Sequence, residues 1–229
     1  MKIIISDFDL TFYDNNFLDN INIINNWKKS GNKFIIATGR SMYDLKHVID
    51  SYNFKADYYI CNDGGAIYDG SYNEIYRKDL DKDISVCLFN DLVETRIFDK
   101  VLIDTSKTIT AINTACANRI IAVIKDRNEA KIVLQNILNK YPNVHGYLST
   151  NYLNITDISV NKANGINFLI NKNNWSKENI YTIGDEINDI EMLTEFNGFL
   201  IDRKNNSFNL KTVASFKEMV ELIDESNQY

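Results

Sequence analysis

Length, composition and charge limit the kinds of protein that this sequence can encode. The 229 residues are enough for one large domain or for a domain with a smaller one inserted, and 45% hydrophobic residues are normal for a globular protein. The net charge is −6, and acidic and basic residues are mixed along the chain, so no basic stripe is present to neutralise a nucleic-acid backbone. Nucleic acid is therefore not expected as a partner.

The N-terminal segment and the cysteines indicate the compartment. The apolar run before Asp7 is far too short for a signal-peptide core or a membrane span, so we expect a cytoplasmic protein that does not engage a membrane. Cys61, Cys87 and Cys116 are odd in number and contain no C-x-x-C pair. Neither a disulfide framework nor a zinc site is therefore indicated.

The first third of the chain alternates short apolar runs with amphipathic stretches. Strands are predicted at residues 2–6, 33–37 and 57–61, and helices at residues 18–29 and 41–52. This alternation is typical of parallel strands joined by helical crossovers. It predicts the beginning of a doubly wound α/β sheet.

The middle of the chain has a different order: helix, strand, strand, helix, strand, strand. The strands are predicted at residues 101–104, 118–125, 144–148 and 153–158. Between the two pairs, apolar residues recur at helical spacing from Ala130 to Tyr141 and form one continuous face, which must cover a sheet. The segment is therefore predicted to form a separate α+β lid, with helices on a mainly antiparallel sheet.

The last third returns to the first pattern. Strands are predicted at residues 179–183 and 198–201, and helices at residues 164–170, 188–194 and 216–224. Both ends of the chain are therefore expected to build one sheet. The predicted division is a core of residues 1–79 and 159–229, with residues 80–158 inserted.

Asp7 and Asp9 stand at the end of the first predicted strand, in DFDLT. An open parallel sheet binds ligands at the carboxyl ends of its strands, and residues i and i+2 of an extended chain point to one side. Phosphoryl transfer can use such a pair, with one carboxylate as nucleophile and metal ligand and the other as proton shuttle. The alternative is a pair of turn-forming residues that close the strand, and D-x-D alone does not decide between them.

Two further positions could bind a phosphate group. The second predicted strand ends in ATGR and runs into a helix, so Thr38 and Gly39 offer a hydroxyl and backbone N–H groups to an anion. Lys162 precedes a later helix and could supply positive charge to phosphate oxygens. The alternatives are a helix-capping threonine with a turn glycine, and a solvated lysine.

The sequence GDEIND follows the strand predicted at residues 179–183. It places Asp185 at a strand end, with Asn188 and Asp189 three and four residues later. Mg²⁺ prefers oxygen ligands and retains water, so Asp7, Asp185 and a neighbouring carbonyl group would provide part of its octahedral shell. Each element is common by itself. Because all four occur in this order at strand ends or helix starts, we favour one joint site.

These four elements resemble the motifs of the haloacid dehalogenase superfamily of phosphatases. DFDLT is similar to the first motif, ATGR to the second, NKANGINFL with Lys162 to the third, and GDEINDIEML to the fourth. The segment between the second and third motifs resembles the type IIB cap of the sugar-phosphatase and phosphoglycolate-phosphatase-like branch. The resemblance covers nearly the whole chain and implies a Rossmann-like core with an inserted α+β cap.

The resemblance implies roles for the first three motifs. Asp7 would be the nucleophile and a metal ligand. Asp9 would be the general acid and base, and its backbone carbonyl would also bind the metal. Thr38, Gly39 and Lys162 would hold the phosphate group.

The fourth motif and the loop before the cap complete the implied site. Asp185 would be the third protein ligand of Mg²⁺, Asp189 would support the metal shell, and Asn188 would lie near the substrate. Asp63 and Gly64, where much of the branch has Asn-Gly, would lie beside the site.

The chain departs from the family pattern at two places. Leu10 stands where many members have Gly, and residues 199–206 replace a segment of small residues with an Asn-Ala pair. The second departure concerns the rim of the site on the substrate side.

The implied function is Mg²⁺-dependent hydrolysis of a small phosphorylated metabolite through an aspartyl phosphate, by a monomer or weak homodimer. Asp9 would be protonated in the first step, which burial and nearby carboxylates would favour. The cap would select the substrate, because the four motifs contact groups common to all phosphate esters. The alternatives are a phosphomutase or phosphotransferase of the same fold, and a non-catalytic binding protein that retains the fold.

Overall fold

The computed structural model describes residues 1–113, 116–201 and 208–225. The strands are β1 (Ile3–Ser6), β2 (Lys33–Ala37), β3 (Tyr58–Cys61), β4 (Ala66–Asp69), β5 (Glu74–Arg77), β6 (Phe98–Asp104), β7 (Ile109–Thr110), β8 (Arg119–Ile124), β9 (Val144–Leu148), β10 (Tyr152–Asp157), β11 (Ile180–Gly184), β12 (Asn197–Ile201) and β13 (Lys211–Val213). The α-helices are α1 (Phe17–Lys29), α2 (Met42–Ser51), α3 (Lys82–Thr95), α4 (Arg127–Lys140), α5 (Lys162–Asn173), α6 (Ile190–Glu195) and α7 (Phe216–Glu225). None of the helices within the described ranges combines the length and the apolar character needed to cross a membrane.

Eight strands of the described ranges form one large sheet, in the order β13-β12-β11-β1-β2-β3-β4-β5. The central strand β1 pairs in parallel with β2 on one side and with β11 on the other, so both ends of the chain share it. At one edge of the sheet, β4 and β5 run antiparallel. This arrangement confirms the doubly wound sheet predicted from the two ends of the chain.

Helices cover both faces of the large sheet. Ile4 packs into the apolar cluster formed with α1, α2 and α7, whereas Ile3 and Ile5 pack into the cluster formed with α5 and α6. Successive side chains of a strand alternate between faces, so every side chain of β1 is buried. This explains why β1 is a continuous apolar run and not an alternating one.

Five strands form a second, smaller sheet in the order β7-β6-β8-β10-β9, and all of its pairs are antiparallel. Helices α3 and α4 cover one face through an apolar cluster that includes Leu88 of α3 and Ile120 of β8. The predicted apolar face of α4 lies in this cluster, where Ala130 and Ile137 are both buried. The mainly antiparallel α+β unit is therefore confirmed. The division into residues 1–79, 80–158 and 159–229 stays a prediction.

The described residues contain four strands that the sequence pattern did not predict, β4, β5, β7 and β13. All four lie at or next to a sheet edge and are two to four residues long. A short strand at an edge buries little of its surface, so its apolar periodicity is weak. The helix predicted at residues 188–194 begins as a 3₁₀ turn at Ile187–Asp189 and continues as α6.

Candidate active site

The chain leaves the central strand at Asp7. The Asp7 N–H donates to the carbonyl oxygen of Ile183 at 2.8 Å, so the backbone of Asp7 is fixed between β1 and β11. In the turn that follows, Leu10 has a φ of 62°. Glycine adopts this left-handed backbone most readily, which explains why Gly is common at this position in the proteins that the chain resembles.

Asp9 pairs with Arg40 on the open side of the same turn. Arg40 Nε and Nη2 donate to the two carboxylate oxygens of Asp9 at 2.7 and 2.6 Å. The Asp9 side chain is 47% exposed. The expectation that Asp9 is buried among carboxylates is therefore wrong for this structure, because its side chain is half-exposed and faces a guanidinium group. Since β1 ends at Ser6, extended alternation does not continue through Asp7 and Asp9, and the two carboxylates have different partners.

Lys162 is the first residue of α5, and its side chain is fully buried. Its ammonium group donates to Oδ1 of Asp7 and to Oδ1 of Asp189, both at 2.6 Å. Burial alone would lower the pKa of Lys162, but the carboxylates of Asp189, Asp7 and Asp63 outweigh it and raise that pKa well above its usual value. Lys162 is therefore a permanent cation beside Asp7, and the alternative of a solvated lysine is wrong.

Asp189 holds the turn after β11. Its Oδ2 accepts hydrogen bonds from the backbone N–H groups of Asp185 and Glu186 at 3.0 and 3.1 Å, while its Oδ1 binds Lys162. A Cβ atom at Gly184 would lie 2.4 Å from Cγ of Asp189, so this close approach requires glycine. Asp189 therefore fixes both the ammonium group of Lys162 and the loop that carries Asp185.

Three carboxylates form a group with the chemistry of a cation site. Asp7, Asp185 and Asp189 each offer one oxygen, and these oxygens lie within 4.8 Å of one another. Asp185 Oδ1 also accepts from the Thr11 hydroxyl at 2.8 Å. Burial, and then the charges of Asp189 and Asp185 against the opposing effect of Lys162, raise the pKa of Asp7 well above its usual value. The group is thus short of positive charge, and its oxygen donors fit Mg²⁺.

Thr38 and Gly39 form the turn that follows β2. The buried Thr38 hydroxyl accepts the backbone N–H of Arg40 at 3.1 Å. The N-cap of α2 is Ser41, so the alternative of Thr38 as the helix cap is wrong. Both Thr38 and Gly39 face the cavity beside Asp7, where the predicted role in phosphate binding places them.

Asp63 connects the fourth motif with the smaller sheet. Its Oδ1 accepts from the Asn188 amide at 3.1 Å, and its Oδ2 accepts from the Tyr147 hydroxyl at 2.6 Å. Asp63 is buried in the 3₁₀ turn at Asn62–Gly64 and has a φ of 56°. Burial, followed by the charge of Asp63, raises the pKa of Tyr147 well above its usual value, so the phenol remains a donor.

Arg119, at the start of β8, crosses from the smaller sheet to the phosphate-binding turn. Nη1 donates to the Gly39 carbonyl oxygen at 2.6 Å and lies 3.8 Å from Asp63, and Nη2 donates to Asp104 at 3.1 Å. The sequence pattern indicates no site role for Arg119 or Tyr147. The alternation of β9 could have placed Tyr147 on one face of the sheet, but local periodicity does not tell which face meets the core.

One cavity of about 370 Å³ lies between the two sheets. Five predicted site residues line it: Asp7, Asp9, Thr38, Gly39 and Asn188. The other three lie next to this wall, because Lys162 bridges Asp7 to Asp189 and Asp185 completes the carboxylate group. The structure therefore brings all eight residues together, and their chemical roles stay predictions. Of the departing segment, residues 199–201 are buried in β12, and residues 202–206 lie outside the described residues.

A comparison of the whole chain with known protein families identifies its family. The sequence pattern of the haloacid dehalogenase-like hydrolases matches residues 4–119 and 94–218, which together span most of it. The chain belongs to this family. In the terms of this family, the smaller sheet with α3 and α4 is the cap, and the large sheet with its helices is the core.

Similar proteins match nearly the whole chain. An uncharacterised protein of Mycoplasma capricolum subsp. capricolum is 25% identical over 255 residues, which cover 94% of this chain and 96% of that protein. A haloacid dehalogenase-like hydrolase from Bacteroides thetaiotaomicron superposes with a TM-score of 0.79 at 16% identity, over 97% of this chain and 99% of that one. A subclass IIB sugar phosphatase gives a TM-score of 0.78 at 16% identity, over 98% and 99%. At these identities, the likeness to the two solved structures concerns the fold.

Proposed function

We propose that this hydrolase is a magnesium-dependent phosphatase that cleaves a small organic phosphate monoester through an aspartyl phosphate on Asp7. The observation that carries the proposal is the setting of Asp7, whose carboxylate is bound to the buried Lys162 and borders the cavity that Thr38 and Gly39 also line. A carboxylate nucleophile beside a permanent cation and an anion-binding turn is an arrangement suited to phosphoryl transfer.

The reaction needs positive charge, because an anionic nucleophile must approach a dianionic phosphate group. Lys162 supplies one charge at Asp7 itself. Asp7, Asp185 and the backbone carbonyl of Asp9 would hold Mg²⁺, with Asp189 as the supporting carboxylate, since both Asp189 oxygens already accept hydrogen bonds. When bound, Mg²⁺ would neutralise phosphate oxygens and the charge that develops in the transition state.

The chemistry then has two steps. In the first, a carboxylate oxygen of Asp7 attacks phosphorus, the bond from phosphorus to the ester oxygen breaks, and Asp9 gives a proton to the leaving oxygen. In the second, water attacks the phosphorus of the aspartyl phosphate and gives a proton to Asp9. The bond from phosphorus to the Asp7 oxygen breaks, which releases inorganic phosphate and restores the carboxylate.

The pair of Arg40 and Asp9 bears directly on the first step. Asp9 must hold a proton to donate one, but both of its carboxylate oxygens accept hydrogen bonds from Arg40 in this structure. The pair must therefore open before transfer. Arg40 lines the cavity, so the oxygens of a bound phosphate group are competing acceptors. A complex with a phosphate analogue in which Arg40 still holds both Asp9 oxygens would count against Asp9 as the donor.

Asp9→Asn should separate the two steps, because it leaves the nucleophile intact but removes the proton shuttle. With 4-nitrophenyl phosphate, whose leaving group needs no proton, a burst of nitrophenolate should be followed by slow turnover, and phosphorylated Asp7 should accumulate. Intact-mass and peptide mass spectrometry would locate the phosphoryl group. A phosphoryl group on any residue other than Asp7 would overturn the assignment of the nucleophile.

Metal dependence provides the direct test of the proposed function. Protein stripped of metal with a chelator should not hydrolyse 4-nitrophenyl phosphate, and added Mg²⁺ should restore the release of inorganic phosphate. Equal rates with and without metal would exclude the proposed role of the carboxylate group. Transfer of the phosphoryl group to an added alcohol in place of water would identify a phosphotransferase. Binding of phosphate esters without turnover would identify a binding protein.

The oligomeric state, the partners and the cellular location of the enzyme are also proposals. We expect a monomer or weak homodimer that acts on a small phosphorylated metabolite in the cytoplasm, away from membranes. The net charge of −6 supports the absence of nucleic acid among its partners. Light scattering over a range of protein concentrations would measure the oligomeric state, and a stable tetramer would contradict the expectation.

A further inference from the structure

The face of the cap sheet that borders the cavity is built from cross-strand rows. One row crosses four strands and consists of Leu102, Ile121, Asn154 and Tyr147. Directly paired residues of an antiparallel sheet project to the same face, so these side chains are neighbours. All four line the cavity, whereas the adjacent residue Ile120 packs on the other face, beneath the cap helices.

The row changes character from one side of the cavity to the other. Leu102 and Ile121 form an aliphatic patch, which Ile109 of β7 extends because it pairs with Asp104 in the next row. Asn154 and Tyr147 form an edge with hydrogen-bonding groups. The row itself carries no formal charge.

The charged residues that line the cavity give no surplus of positive charge. Among the described lining residues, the acidic ones are Asp7, Asp9, Asp44 and Glu186, and the basic ones are Arg40 and Arg119. Both oxygens of Asp9 bind Arg40, and Arg119 binds Asp104 and lies close to Asp63. Arg119 therefore already faces carboxylates of the protein, and Arg40 faces either Asp9 or, once that pair opens, the phosphate group that replaces Asp9.

This distribution of charge limits which groups the organic part of the substrate can carry. Lys162 and the proposed Mg²⁺ would serve the phosphate group, but a second anion farther into the cavity would meet the aliphatic patch and the carboxylates. Such an anion would lose water without gaining a cation, and nearby like charges would repel it. An uncharged group would fit, with an apolar face against Leu102 and Ile121 and a polar edge against Asn154.

We infer that the substrate is a phosphate monoester whose organic part carries no carboxylate and no second phosphate group. The side chains of the row from Leu102 to Tyr147 contact this organic part and select it. The inference rests on the proposed phosphatase function and narrows its substrate class. It disfavours phosphoglycolate-like substrates and sugar bisphosphates.

The test compares substrates that differ chiefly in one anionic group. The pairs are 2-hydroxyethyl phosphate with 2-phosphoglycolate, and glycerol 3-phosphate with 3-phosphoglycerate, each assayed as inorganic phosphate release with Mg²⁺ present. In each pair, the substrate with the uncharged organic part should have a kcat/KM higher by about tenfold or more. The carboxylate of the other substrate would be buried in the cavity without a cationic partner. An equal or higher kcat/KM for the carboxylate member would overturn the inference.

Two variants test whether the aliphatic patch makes this choice. Ile109→Lys and Ile121→Lys each place a cation beside the organic part, and each should raise kcat/KM for the carboxylate members by about tenfold. Ile109 is half-exposed, so a lysine there does not disturb packing even if Ile121→Lys fails to fold. Ile132→Lys is the matched control, because Ile132 is exposed on α4, on the side of the cap sheet that faces away from the cavity.

The remaining outcomes separate the two proposals. If no phosphate ester is hydrolysed, 4-nitrophenyl phosphate included, the proposed function fails and the inference fails with it. If Ile109→Lys still hydrolyses 4-nitrophenyl phosphate but leaves the ratio within each pair unchanged, the aliphatic patch does not contact the organic part and the inference fails. A change in that ratio for Ile132→Lys would also overturn the assignment, since the effect would then be one of overall charge.

Discussion

Replacing Asp7 by Asn should lower kcat for 4-nitrophenyl phosphate by roughly 10³-fold or more, because the amide keeps the shape of the side chain but is a very poor nucleophile. The amide oxygen can still accept the hydrogen bond of Lys162, which stays paired with Asp189. The substitution should therefore slow the chemical step without disrupting the rest of the site. No phosphorylated protein should be trapped from this variant.

The stability of Asp7→Asn distinguishes a catalytic effect from misfolding. Burial raises the pKa of Asp7 above its usual value, so this group favours folding while it is protonated, and the favourable contribution is lost as the pH rises and Asp7 ionises. Without metal, the neutral amide should therefore unfold near pH 7 at the same temperature as the parent or a higher one. Mg²⁺ should raise the unfolding temperature of the parent more than that of the variant.

Asp19→Asn is the matched control for this experiment. Asp19 is exposed in the first turn of α1, away from the cavity, and the same change there should leave kcat unaltered. Activity of Asp7→Asn close to that of the parent would show that another group attacks phosphorus.

Replacing Lys162 by Met should have the largest effect on stability. The variant leaves Asp7 and Asp189 buried without the ammonium group that donates to both at 2.6 Å. Removal of one partner from a buried ion pair typically costs about 3–5 kcal/mol, because an uncompensated charge remains in the interior. The free energy of unfolding, measured in urea without metal, should fall by about that amount, and phosphatase activity should be lost.

The pH dependence identifies the cause of that loss. Lys162 opposes the rise in the pKa of Asp7, so its removal raises that pKa further. The variant should then be least destabilised at acid pH, where Asp7 is protonated, and most destabilised as the pH rises and Asp7 ionises. Lys172→Met, on the exposed side of the same helix, controls for the change in composition. A constant difference between Lys162→Met and the parent from pH 5 to pH 8 would point to packing and not to charge.

The sequence by itself determined the core sheet, apart from the strands β4, β5 and β13 at or next to its edges, and the place of the site on it. The strands at Ile3–Ser6 and Lys33–Ala37 are buried in the middle of the sheet, so their apolar runs are strong enough to predict them from the sequence. The carboxyl ends of parallel strands meet at one edge. Asp7 and Thr38, each directly after one of these strands, therefore had to lie close together, and the structure places both on one cavity.

The sequence also determined the order of the cap elements other than the two-residue strand β7. The apolar face of α4 and the antiparallel strands were recognised because each repeats within a few residues. Only the tertiary structure decided how the cap meets the core. Arg119 binds the Gly39 carbonyl 80 residues away in sequence, and Tyr147 binds Asp63 across 84 residues. Partners at such separations depend on strand register and on the face that the cap presents, and local periodicity contains neither.

The partners of the carboxylates were likewise decided by the tertiary structure. From the sequence, Asp7 and Asp9 form one D-x-D pair with a shared direction. In the fold, Asp7 binds Lys162 inside the protein, and Asp9 binds Arg40 at the surface. The physical reason is that the packing of distant segments sets the burial and the partners of each ionisable group. Burial and partners together decide whether the group is charged.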